Sequence, residues 1–122
     1  MLAERRRKRS SFAGLSLQYW LNAVAQQKRL FALVLADSAG LLIGASMTGP
    51  EAEELAAVAP LLARPNNAEC NPMPERNKIP VVVQPMRLDH ASLFLCAVGD
   101  RERGKEGIRL AASGVRRILT AH

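Results

Sequence analysis

At 122 residues with a net charge of +6, 48% hydrophobic and 23% charged, the chain is sized for one domain and apolar enough to bury a core, which excludes a wholly disordered polypeptide. Nothing in it approaches the run of about 18 apolar residues that a transmembrane segment needs. Its two cysteines, Cys70 and Cys96, stand 26 residues apart, too sparse for a disulfide-stapled secreted domain and wrongly spaced for a zinc site, so the expectation is a reduced, metal-free, cofactor-free cytoplasmic domain.

The positive charge is concentrated at one end. Arg5, Arg6, Arg7, Lys8 and Arg9 face a single nearby carboxylate, Glu4, and residues 1–11 read as a basic flexible arm preceding one domain over residues 12–120. A basic run followed by Leu15–Ala25 has the outline of a secretory signal, but Ser16, Gln18 and Asn22 interrupt the apolar stretch such a signal requires. Leu17, Trp20, Leu21 and Val24 fall at i, i+3, i+4 and i+7, which predicts an amphipathic helix with Trp20 packed into the core.

Two apolar runs follow, Leu30–Ala36 and Leu41–Met47, joined by Asp37-Ser38-Ala39-Gly40. Aspartate bonds its own backbone and glycine takes positive φ, so the pair predicts a hairpin. Thr48-Gly49-Pro50-Glu51 has the spacing of a capping box with proline in the first turn, which starts a second helix. Along it Leu55, Val58, Ala59 and Leu62 share a face, Glu51, Glu53 and Glu54 suit the positive end of the dipole, and Pro60 predicts a bend or break. Residues 64–77 lack periodicity and carry Pro65, Pro72 and Pro74, an irregular loop that also holds Cys70.

Ile79–Leu88 and Ala91–Val98 bracket Asp89-His90 as a second hairpin, with Pro80 and Pro85 confining the first strand to an edge or bulge. Residues 103–120 then place Ile108, Ala111, Ala112, Val115, Ile118 and Leu119 on one face of a terminal helix. The order helix, hairpin, helix, hairpin, helix predicts an α+β fold: an antiparallel sheet of four to five strands with helices on both faces.

Signals for catalysis are weak. Gly99–Lys105 matches most of a phosphate-binding P-loop, yet Glu106 stands where a magnesium-binding hydroxyl is needed and Asp100 and Glu102 repel phosphate. No serine elbow exists, Asp89 and His90 are turn residues, and Glu51, Glu53 and Glu54 are ordinary first-turn carboxylates, so no catalytic residue, metal ligand or small-molecule substrate is predicted. Nucleic acid is disfavoured as a partner because none of the five aromatic residues interleaves with Arg5–Arg9 as a stacking platform would.

The stretch Ala32–Ser46, a hydrophobic strand, an acidic turn ending in Gly40 and a strand closing on small residues, together with the second hairpin and Gly107-Ile108-Arg109-Leu110-Ala111-Ala112 after it, resembles the Roadblock family of dynein light-chain type domains, particularly its bacterial and archaeal members. The resemblance spans about Ser11 to Leu119. It implies a Roadblock/profilin-like fold and a homodimer, or a heterodimer with another Roadblock-type protein. It further implies an adapter for a Ras-like small GTPase or a motility or motor complex, able to influence GTP hydrolysis without catalytic residues of its own. The family usually has a fifth, edge strand through which dimers pair. Pro72 and Pro74 fall where it belongs and remove two N–H donors from Glu69–Arg76. Docking is therefore assigned to the second helix, at Glu51, Glu54, Leu55, Val58 and Leu62, residues that read equally well as internal core. The alternative is a nucleic-acid or anionic membrane-surface binder working through Arg5, Arg6, Arg7, Lys8 and Arg9.

Overall fold

The computed structural model of the chain describes the backbone of residues 2–47, 49–63 and 80–121, with side chains from Leu15 onward. Its elements are α1 (Leu2–Gln27), β1 (Ala32–Asp37), β2 (Leu42–Ala45), α2 (Pro50–Leu62), β3 (Val81–Leu88), β4 (Ala91–Val98) and α3 (Arg101–Ala121). The expected loop, with Cys70, Pro72 and Pro74, lies outside the described residues.

The strands form one antiparallel sheet in the order β2-β1-β4-β3. β1 pairs with β4 from Ala32↔Val98 to Asp37↔Leu93, and β3 with β4 from Val81↔Val98 to Leu88↔Ala91. β1 is central, and residues 32–36 are buried whichever way they point, so the strand is apolar throughout instead of alternating. A bulge between Leu35 and Ala36 leaves Ile43 as the extra residue of β2, and the pairing resumes at Ala36↔Leu42 and runs into the turn, where the Asp37 N–H donates to the Leu41 carbonyl at 3.0 Å.

Alternation across the sheet sorts the core into two layers. Leu33, Leu35, Leu93, Leu95 and Ala97 join Leu17, Leu21 and Val24 of α1 and Ile108, Ala111 and Val115 of α3 on one face. Val34, Ala36, Ala45 and Cys96 meet Ala52, Leu55, Ala56 and Ala59 of α2 on the other. Two helices on one face and one on the other complete the α+β arrangement.

Local chemistry accounts for the turns. The Asp37 carboxylate accepts the backbone N–H groups of Ala39 at 2.9 Å and Leu41 at 3.0 Å. Gly40 has φ +81°, and a Cβ there would lie 3.0 Å from the Ala57 carbonyl oxygen, so the turn is held against α2 without a side chain. Asp100 caps α3 by accepting the Arg103 N–H at 3.1 Å. The segment resembling a P-loop thus holds its own carboxylate where a phosphate would sit.

Three local expectations differ. α1 begins at Leu2, so Arg5–Arg9 stand on its first turns. Cations there oppose the positive end of the helix dipole, which is why the residues do not read as helix. At α2 the cap is Gly49, with no side-chain cap bond, and Thr48 lies outside the described residues, so the capping-box register is one residue off. Pro60 falls in the last turn of an unbroken α2, where few residues remain to be disrupted.

Candidate docking surface

One helix cannot roof four strands, and α2 lies chiefly over β1, with least contact to β3. The direction of the offset follows from Ala57, which meets the β1–β2 turn at Gly40. The opposite flank of α2, where Glu51, Leu55, Val58 and Leu62 recur at i, i+4, i+7 and i+11, therefore overlooks β4 and β3. Among the described residues that flank leaves a shelf: Val81 and Val83 of β3 and Phe94 of β4 are half-buried against the α2 cluster, Val58 and Leu62 of α2 are half-buried on the flank itself, and Pro85 is exposed.

The sequence-derived residues separate on this geometry. Leu55 is 4% exposed and belongs to the core against the sheet, so its side chain is occupied within the chain. Val58 and Leu62 are half-buried on the same flank of α2, and Glu51 and Glu54 are exposed on it. Periodicity alone did not single out Leu61, 47% exposed on the outer side of the last turn. Val83, Pro85 and Phe94 were legible only as strand residues, because their exposure depends on where α2 stops.

β3 is the sheet edge among the described residues. The Gly99 N–H donates to the Pro80 carbonyl at 3.0 Å, which makes 80↔99 a hydrogen-bonded pair and, by alternation, puts Val82, Gln84 and Met86 in the bonded set. Val81, Val83, Pro85 and Arg87 then direct their backbone groups outward. Pro85 can sit within the strand because the donor it lacks would have pointed away from β4. The same gap leaves three outward N–H groups on this edge where an unbroken strand would have four.

Beneath α2, Cys96 pairs in register with Val34 and Val83 and is fully buried. Burial pushes its thiol up to about 12, because the thiolate would lose its hydration. An unfolded chain surrenders that proton near the ordinary thiol value of 9.0 while the folded one retains it. This contribution to stability is therefore complete below pH 9 and is lost as pH rises toward about 12. In a Cys70→Ser background, Cys96 is expected to resist a thiol reagent until the protein is unfolded. Cys96→Ala should flatten part of the alkaline decline in stability. Prompt labelling in native buffer would contradict this placement.

Among the described residues there is no buried polar or charged side chain and no group of three or more metal-ligating residues. His90 and Asp89 are exposed at the β3–β4 turn. None of the described helices is long and apolar enough to cross a membrane.

No model of a known protein family matches the sequence, and no curated protein does. Among solved structures, Myxococcus xanthus MglB is similar over 88% of this chain and 90% of its own, with a TM-score of 0.57 and 12% sequence identity. The likeness is one of fold: three helices about a four-stranded antiparallel sheet, of the Roadblock type.

Proposed function

We propose that the chain is a non-enzymatic adapter or regulator that dimerises, with itself or with another Roadblock-type protein, and docks a Ras-like small GTPase or a motility or motor complex in the cytoplasm. The observation that carries this reading is the α2–β3 shelf. Half-covered aliphatic and aromatic side chains line it, proline interrupts the strand edge bordering it, and two exposed carboxylates stand over it. Contiguous apolar surface rimmed by charge is what protein–protein interfaces use. The described residues offer no nucleophile and base in contact, so an effect on GTP hydrolysis would come from holding the GTPase's own switch residues. Glu51 and Glu54 suit a partner with a basic rim, supplying orientation and association rate more than affinity.

Co-purification of the full chain with a candidate small GTPase tests the reading. A complex is expected with a GTP analogue and not with GDP, and it should persist when residues 2–10 are deleted. Binding that disappears with that deletion and falls steeply with salt would instead place the activity in the basic residues.

A further inference from the structure

The sheet face opposite the shelf carries α1 and α3 side by side, α1 over β2 and β1, α3 over β4 and β3. Two glycines mark the flank of α3 that meets its neighbour. A Cβ on Gly107 would lie 2.6 Å from Leu30 Cδ1, just past the end of α1, and one on Gly114 would fall within the Trp20 indole. At about 100° per residue, positions two before or two after those glycines stand on the other side of the helix. They are Lys105, Arg109, Ala112 and Arg116. This flank therefore turns away from α1 and toward the β3 edge.

β3 meets it there. A Cβ on Gly104 would lie 3.2 Å from Val82 Cγ2, so Val82 and, by alternation, Gln84, Met86 and Leu88 face α3. Val82, Leu88, Ala112 and Leu119 are half-buried and pack against the core beneath. They floor a partly open seam along the α3–β3 margin.

The charge beside this seam is nearly all of one sign. Lys105, Arg109 and Arg116, with Arg101 one turn before Lys105, are exposed. α3 as a whole carries six cations and two carboxylates. Of the two, Glu106 Oε1 lies 3.4 Å from Lys28 Nζ on the α1 side, which leaves Glu102 alone to oppose the row. None of the four cations has an ion-pair partner among the described residues. Arg101, Lys105 and Arg109 recur at i, i+4 and i+8, so like charges stack along the helix and oppose it. An anionic partner relieves that repulsion.

The combination of row and floor discriminates among anionic partners. A phosphodiester backbone would neutralise the cations but leave the apolar floor wet. A bilayer needs protruding apolar side chains, and the exposed large hydrophobic residues among those described, Leu15, Tyr19, Phe31, Leu41, Leu42 and Leu61, include none from α3 or β3. An amphipathic helix supplies both halves of the contact. Its leucines enter the seam, and glutamates at i and i+4 repeat the spacing of Lys105 and Arg109, about 6 Å. From Lys105 to Arg116 the row is roughly 16 Å long, the length of three helical turns.

We infer that the α3–β3 seam, with Lys105, Arg109 and Arg116 beside it, is a docking site for an acidic amphipathic helix of another protein. It lies across the sheet from the α2–β3 shelf, so either can fail alone. Its test is fluorescence anisotropy of the full chain with a labelled synthetic peptide of about 15 residues, with leucines along one helical stripe and glutamates at i and i+4 beside it. Binding in the micromolar range is expected, weakened at least about tenfold in Lys105→Gln/Arg109→Gln/Arg116→Gln. Ala112→Glu, which sets a carboxylate in the floor, should bind roughly fivefold more weakly. Arg103 and Arg117 stand one turn from the two glycines, off this flank, so Arg103→Gln/Arg117→Gln should bind like the parent. Lys105→Glu/Arg109→Glu/Arg116→Glu should lose the peptide and gain its counterpart with lysines in place of glutamates, a rescue that requires a folded seam. No binding, equal binding of a scrambled peptide of the same composition, or parental affinity in the triple Gln variant or in Ala112→Glu would each overturn the inference. So would tighter binding to duplex DNA or phosphatidylserine vesicles in the same buffer, or a self-association that the triple Gln variant abolishes.

Discussion

Replacing Gly114 by alanine is expected to destabilise the protein by about 2–3 kcal/mol, lowering the thermal midpoint by roughly 10 °C. The added methyl would fall within the indole of Trp20. That ring cannot step aside cheaply, because its Nε1 donates to the Ala111 carbonyl at 2.9 Å one turn earlier on α3. Moving it forfeits the bond, and keeping it forces α3 away from α1, opening the layer where Leu17, Leu21, Ala111 and Val115 interlock. Combining Gly114→Ala with Trp20→Ala should cost clearly less than the two losses added together, since the clash needs both partners. Denaturant titrations of the four proteins check this. Strict additivity would show that the methyl clashes with something other than the indole.

The second large effect belongs to the shelf. Val58→Glu combined with Val83→Glu should weaken self-association or partner binding by roughly 100-fold, the scale of losing central anchors in a desolvated interface. Both side chains are half-buried at the border between α2 and β3, so a charge there can still reach water in the free protein, and the cost to folding should be small beside the cost to docking. Phe31→Glu is the matched control. Phe31 is 72% exposed just before β1, where its N–H donates to the Val98 carbonyl at 2.9 Å, beyond the end of the shelf. Sedimentation velocity for self-association and calorimetry for a partner would register the difference. Equal losses in Phe31→Glu would point to a general effect of added charge.

Much of the architecture was legible because two periods dominate the chain. The unbroken apolar run Leu93-Phe94-Leu95-Cys96 answers to a strand covered on both faces, and the helical spacing of Ile108, Ala111 and Val115 to one buried face, and the structure places them there. Asp37 and Gly40 identified their own turn through the chemistry that the hydrogen bonds display. Less was legible where a residue's role depends on a distant neighbour. Gly104, Gly107 and Gly114 look like helix weakeners, yet each stands where α3 packs close against Val82, Leu30 or Trp20, most tightly at Gly114 against the indole. The shelf was half visible. Helical spacing grouped Leu55 with Val58 and Leu62, but only the offset of α2 toward β1 reveals that the first is buried while the other two border open sheet. The start of α1 was missed because a run of cations argues locally against a helix N-terminus.

The central claim is that the protein acts by covering the α2–β3 shelf with another polypeptide. Amide hydrogen exchange on the full chain, dilute, concentrated, and mixed with a small GTPase carrying a GTP analogue, tests it most directly. The account predicts added protection in α2 and along β3, at Val81, Val83 and Arg87 whose N–H groups point outward, with α1 and α3 unchanged. Protection confined to α1 and α3, or none under either condition, would contradict it.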